Sequence, residues 1–108
     1  MKAYLIDPFE KSINEVEYSG DYQDIYKLIN ADLFDVAYID DGLGVFVDDE
    51  GLFKDNQAFF QVGYAMLAGY GLVLGTDDEG ESISPNISLK DLAKKVTFMS
   101  REEVMRHV

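Results

Sequence analysis

The tetrapeptide Asp-Asp-Glu-Gly occurs twice in this 108-residue chain, once within VDDEGLF from Val47 and once within GTDDEGES from Gly75. Carboxylates at this density are the raw material of a hard-cation site or of general acid–base chemistry. An EF-hand loop needs an oxygen ligand five places before its Gly, and those places hold Phe46 and Gly75. Neither cluster is such a loop. Each one follows an apolar run and ends in Gly, so each reads as a solvated turn whose Asp side chains bond their own backbone. Two alternatives stay open. The clusters share a cation if the strands ending at Val47 and Thr76 lie side by side. Or the acids form a face for a partner, made of Asp40, Asp41, Asp48, Asp49, Glu50, Asp77, Asp78 and Glu79.

Other residues offer less chemistry. There is no cysteine, which removes thiolate ligands, disulfides and cysteine nucleophiles. His107 is the single histidine and lies next to the last residue, where a base would lack the fixed imidazole that catalysis needs. Among 21 carboxylates, pairs such as Asp40 and Asp41 occur by density alone. In GYGLVLG, Leu74 stands where a phosphate-binding Gly-x-Gly-x-x-Gly would place its third Gly, and the segment reads as a strand. No catalytic residue, metal ligand set or cofactor is expected. The aromatics are denser in mid-chain, with Phe53, Phe59, Phe60, Tyr64 and Tyr70. Most should be core. Yet Phe59 and Phe60 are neighbours and cannot both face inward from one strand, so Phe59, Phe60 and Tyr64 are candidate contact residues.

These residues need elements to position them. KAYLI and the alternating SINEVEY predict a β-hairpin around Asp7-Pro8. Tyr22, Ile25, Tyr26 and Ile29 recur at helical spacing, predicting a helix over about Asp21–Asn30 capped by Asp21. DVAYIDDGLGVFVDD predicts a second hairpin turning at Asp41-Gly42. Residues 50–57 read as irregular, AFFQVGYAML is ambiguous between strand and helix, and GLVLG reads as a buried strand. EGESISPN reads as a loop. Ser88-Leu89-Lys90-Asp91 resembles a capping box, VTFM reads as a strand, and Ser100-Arg101-Glu102-Glu103 opens a terminal helix to about His107. The expectation is one α+β domain over 1–108, mainly antiparallel, with one central helix and one or two short late ones.

Composition bounds the partners. The formal charge is −12, and it is uneven: residues 1–89 hold 18 acids and four bases, while residues 90–108 hold three acids and five bases. Such a field repels nucleic-acid phosphates and favours basic partners. With 47% hydrophobic residues the chain can build a core, and no apolar run reaches the roughly 20 residues of a membrane-spanning helix. A cytoplasmic protein without direct nucleic-acid or membrane binding is expected.

The stretches LIDPFEKSINEVEYSGDYQDIYKLI, FVDDEGLF and LAGYGLVLGTDDEGES resemble small, largely uncharacterised proteins of bacteriophages and bacterial mobile elements. The similarity runs over most of residues 3–99 and leaves out SREEVMRHV. It implies no activity and no catalytic residues. It does imply company: short phage proteins of this kind often interfere with host machinery or immunity. The leading expectation is therefore a non-enzymatic accessory protein that binds a host protein, probing a Lys/Arg groove by nucleic-acid mimicry or acting as an anti-defence inhibitor such as an anti-CRISPR. Its location would be the host cytoplasm. The alternatives are an oligomeric protein that sequesters a signalling nucleotide by stacking on the aromatics, and an enzyme of unknown class.

Overall fold

The run GLVLGT has no polar face, and its strand is buried on both sides. A computed structural model describes residues 1–39, 42–50 and 57–106. In chain order its elements are β1 (Lys2–Asp7), β2 (Ser12–Glu17), α1 (Gln23–Leu28), β3 (Phe34–Ile39), β4 (Leu43–Asp48), β5 (Phe59–Val62), β6 (Ala65–Ala68), β7 (Gly71–Thr76), β8 (Ser82–Ile83), α2 (Leu89–Lys95), β9 (Val96–Met99) and α3 (Arg101–Met105). Every strand pair among them is antiparallel. The larger sheet has the order β2-β1-β7-β4-β3, with β8 also beside β7, and the smaller one the order β6-β5-β9. The fold is α+β.

Strand β7 is central because both of its faces find cover. Leu72 and Leu74 point to one side and join Ala3, Tyr18, Ile25 and Ile29, so α1 closes that face. Val73 points to the other side and joins Tyr4, Ile6, Val45, Phe60, Val62 and Leu92, so the smaller sheet and α2 close the second face. The two layers approach closely at one glycine. A Cβ on Gly71 would lie 2.6 Å from Phe60 Cζ and 3.0 Å from Val45 Cγ1, so only a residue without a side chain lets the Phe60 ring sit there. The Tyr4 hydroxyl, buried in this core, donates to the Ile87 carbonyl at 2.8 Å and ties β1 to the approach to α2.

Several local expectations change in detail. The ambiguous AFFQVGYAML is the β5–β6 hairpin, turning at Gly63-Tyr64 between paired Val62 and Ala65. Gly63 has φ +58°, and glycine first with positive φ is the order that II′ hairpin turns favour. Helix α1 is shorter than its apolar spacing suggested, and Tyr22 occupies its N-cap. Asp21 still accepts from the Gln23 amide at 3.0 Å, and Asn30 at φ +54° ends the segment in a left-handed turn. The expected loop EGESISPN contains β8, whose Ile83 and Ser82 pair with Gly75 and Thr76. Both late caps form. Ser88 Oγ accepts from the Asp91 amide, and Ser100 and Glu103 make a reciprocal box, although α3 stops at Met105 and His107 lies outside the described residues.

Phe59 and Phe60 correct an expectation. Both are buried, at 3% and 0% exposure. They do point to opposite sides of β5, the middle strand of its sheet, and each ring is covered on its own side. Neither residue is available for contact.

Two outcomes follow. Gly71→Ala should destabilise the fold by about 1–3 kcal/mol through overpacking against Phe60, measured as a lower urea midpoint with unchanged slope. Adding Phe60→Leu should recover part of that loss. At the α1 face, burial, then the charges of Asp21 and Asp24, raise Tyr18 above the ordinary tyrosine value of 10.0. The neutral phenol is thus the form the fold prefers. Its stabilisation is intact below the ordinary value and is lost as pH rises through the raised one. Tyr18→Phe should flatten that alkaline decline in melting experiments.

Candidate interaction surfaces

Asp77 builds its own turn. Its Oδ1 accepts from the amides of Glu79 and Glu81, both at 2.9 Å, and the Glu81 carbonyl accepts from the Asp77 amide. Gly80 supplies φ +83°. With the Asp77 carboxylate turned inward, Asp78, Glu79 and Glu81 are the acids left exposed. The first cluster repeats the device: Asp48 Oδ1 accepts from the Glu50 amide at 2.9 Å, Asp48 is buried, and Asp49 and Glu50 are exposed. Gly51, Asp40 and Asp41 lie outside the described residues. In both described clusters the first Asp serves the backbone and its successors face water.

The strands bearing these clusters, β4 and β7, are direct neighbours, which was the condition for a shared cation. Their direction removes it. They pair antiparallel, Leu43 opposite Gly75 and Val47 opposite Gly71. Asp48 therefore closes one end of the sheet, while Thr76, bonded to Gly42 at 2.8 Å, leads Asp77 out at the other. The separation is the length of β4, roughly 20 Å at about 3.4 Å per residue. Calcium ligands sit about 2.3–2.6 Å from their ion, so one cation cannot bridge these turns. The distance also exceeds the screening length of about 8 Å at physiological salt, so the acids make two poles rather than one face. Among the described residues no group of three or more His, Cys, Asp or Glu is placed to hold a metal ion.

At the Asp48 pole the acids meet strand β3. The Asp49 amide donates to the Leu33 carbonyl at 3.2 Å, so Asp32, Asp49 and Glu50, all exposed, gather where β3 begins. At the far end of β3 the aromatic candidate Tyr64 is fully exposed on the β5–β6 turn, and Tyr38 is 75% exposed. They border a shallow cleft of about 310 Å³ with Ile39, Gly63 and Ala65. Ile39 and Gly63 also line the adjoining hollow, which ends at Lys95 of α2. Sequence reasoning missed Tyr38. Its signal was a tyrosine two residues before the Asp40-Asp41 pair, and the edge strand leaves it uncovered.

Residues 1–97 match the family described as Domain of unknown function (DUF3846). The chain belongs to that family. Neither a curated protein nor a solved structure matches it. The DUF3846 match takes in both acidic turns, β3, and all of the larger sheet, and it stops within β9. Helix α3 falls beyond it. No helix among the described residues is long and apolar enough to cross a membrane.

The turn chemistry makes three discriminating variants. Asp77→Ala leaves the Glu79 and Glu81 amides without their acceptor and should cost about 1–2 kcal/mol. Asp77→Asn keeps an acceptor oxygen and should lose much less. Asp78→Ala should stay within about 0.5 kcal/mol of the parent in the same melts, as exposed surface changes do.

Proposed function

We propose that the protein is a non-enzymatic accessory protein of the phage and mobile-element kind that binds a basic host protein through its acidic surface. The carrying observation is the division of labour in the two turns. Asp48 and Asp77 hold the backbone, and that fixes Asp49, Glu50, Asp78, Glu79 and Glu81 in outward positions. Carboxylates on a preformed turn need little ordering when a partner binds, so more of their attraction appears as affinity. Two poles roughly 20 Å apart suit a groove with two basic patches better than a single Lys/Arg pocket. A net charge of −12 adds long-range steering. Interference with host defence by occupying a nucleic-acid site is the form of this activity that the resemblance to phage proteins favours, with the host cytoplasm as its location.

A second reading has its own observation. The sequence offered aromatics but few nearby cations for a sequestered nucleotide. The fold brings Lys95 next to the hollow that adjoins the Tyr38–Tyr64 cleft. Stacking between two tyrosines beside a lysine is a nucleotide-like chemistry. It now rests on Tyr38 and Tyr64, since Phe59 and Phe60 are buried.

The two readings separate in one set of measurements on partners captured from host lysate. Changing Asp49, Glu50, Asp78 and Glu79 to their amides should leave stability nearly unchanged, slow association with a basic protein and flatten its salt dependence. Amide changes at Glu15, Glu17 and Asp24 should do less. Equal loss from both sets would reduce the effect to total charge. A small molecule retained by the parent and lost in Tyr64→Ala would favour the nucleotide reading.

A further inference from the structure

Among the described residues, β2 and β3 end the main path of the larger sheet, with β8 a short strand beside β7, and these two edges are protected unequally. An edge strand carries backbone donors and acceptors that another chain can pair with unless charge or shape prevents it. Strand β2 carries exposed Glu15 and Glu17. Strand β3, with the sequence FDVAYI, has Asp35 as its one charged residue. The direction of its backbone follows from two bonds. Leu33 turns its carbonyl toward β4, where it accepts from the Asp49 amide. The Val36 amide receives no strand partner there and instead donates to Asp35 Oδ1 at 2.8 Å. In an antiparallel ladder the backbone groups of successive residues alternate sides, so Phe34, Val36 and Tyr38 face outward. The Asp35 carboxylate covers the middle donor of this free edge.

We propose that the partner adds an extended basic segment as a new strand along β3, and that a Lys or Arg of that segment draws the Asp35 carboxylate off the Val36 amide. This rests on the reading of the protein as a binder of basic partners and specifies how the contact is made. Charge chooses the occupant. Exposed Asp32, Asp49 and Glu50 lie where β3 begins, and Asp35 lies along it. A second copy of this chain would bring the same acids and another −12 charges to the edge. A neutral strand would have to compete with the carboxylate for Val36, whereas a basic one satisfies the carboxylate and frees the amide. Leu33, 52% exposed, and Tyr38, 75% exposed, offer apolar contact at the two ends. The guard is therefore selective: one side chain keeps the edge closed to uncharged strands and open to cationic ones.

The test uses two short peptides, one alternating lysine with valine and one alternating serine with valine, titrated into the full chain. Amide spectra and hydrogen exchange are read at Phe34, Val36 and Tyr38. The lysine peptide should bind, protect these three amides and leave those of β2 unchanged, and a central proline in the peptide should abolish the effect. Asp35→Asn, which keeps the acceptor but loses the charge, should weaken binding by about two- to fivefold, the worth of one exposed charge pair. Asp35→Ala should let the serine peptide bind as well. If the lysine peptide binds without protecting the β3 amides, the edge proposal is overturned while the acidic-binder reading survives. If no basic peptide binds even at low salt, both fall. Protection of β3 by self-association, seen in sedimentation without peptide, would assign the edge to a second copy and overturn the proposal.

Discussion

The seating of the Phe60 ring over Gly71 is the contact on which the two sheets depend. A sheet buried on one face needs a single covering layer, but β7 is apolar on both. Helix α1 and its C-cap supply one cover with Ile25 and Ile29. The other must come from the smaller sheet, and that sheet can only approach where the larger one has room for an aromatic ring. Gly71 provides the room, Val45 lies beside it, and Val73 and Leu92 of α2 belong to the same buried cluster. The smaller sheet in turn carries the Gly63-Tyr64 turn to the end of β3, where Tyr38 is exposed. The exposed Tyr38 and Tyr64 are thus brought to one end of the fold by a contact in the core.

Strand identity was readable where the pattern was local and strong. The first hairpin, β4, β7 and both late caps follow from alternation, bounding glycines and Ser-x-x-acid spacing. AFFQVGYAML stayed ambiguous because an apolar run that short has no period of its own. Strand β8 was invisible because ESIS has no strand pattern; the segment pairs only because the second half of β7, beyond its partner β1, leaves an edge open at Gly75 and Thr76. The Phe59–Phe60 inference failed for a related reason. It assumed a sheet with one wet face, and how many layers cover a strand is a tertiary property.

The acidic clusters show the same division. That each is a turn could be seen from Asp followed by Gly, and the bonds from Asp48 and Asp77 to following amides agree. That they stand apart could not be seen, since identical peptides after two strands share an end of a sheet or occupy opposite ends according to strand direction. Direction here comes from β7 running antiparallel to both β1 and β4. The role of Asp35 was likewise hidden, because an aspartate at the start of a strand gives no sign of which amide it will cover or whether that amide faces a neighbour or water.

The position of β7 also governs the order in which this protein can be made. Its flanking partners, β1 and β4, belong to the first half of the chain, and the strand that joins them arrives only with residues 71–76. The Tyr4–Ile87 bond closes later still, across 83 residues. Long-range pairing of this kind makes folding slow, and synthesis at about 5–20 residues per second leaves both hairpins waiting for several seconds with the inner edges of β1 and β4 unpaired. During that interval the nascent chain is at its stickiest. It is already strongly acidic, because residues 1–70 hold 14 acids against four bases, a net of −10. Mutual repulsion at that charge works against contact between the open edges of unfinished copies until the central strand arrives.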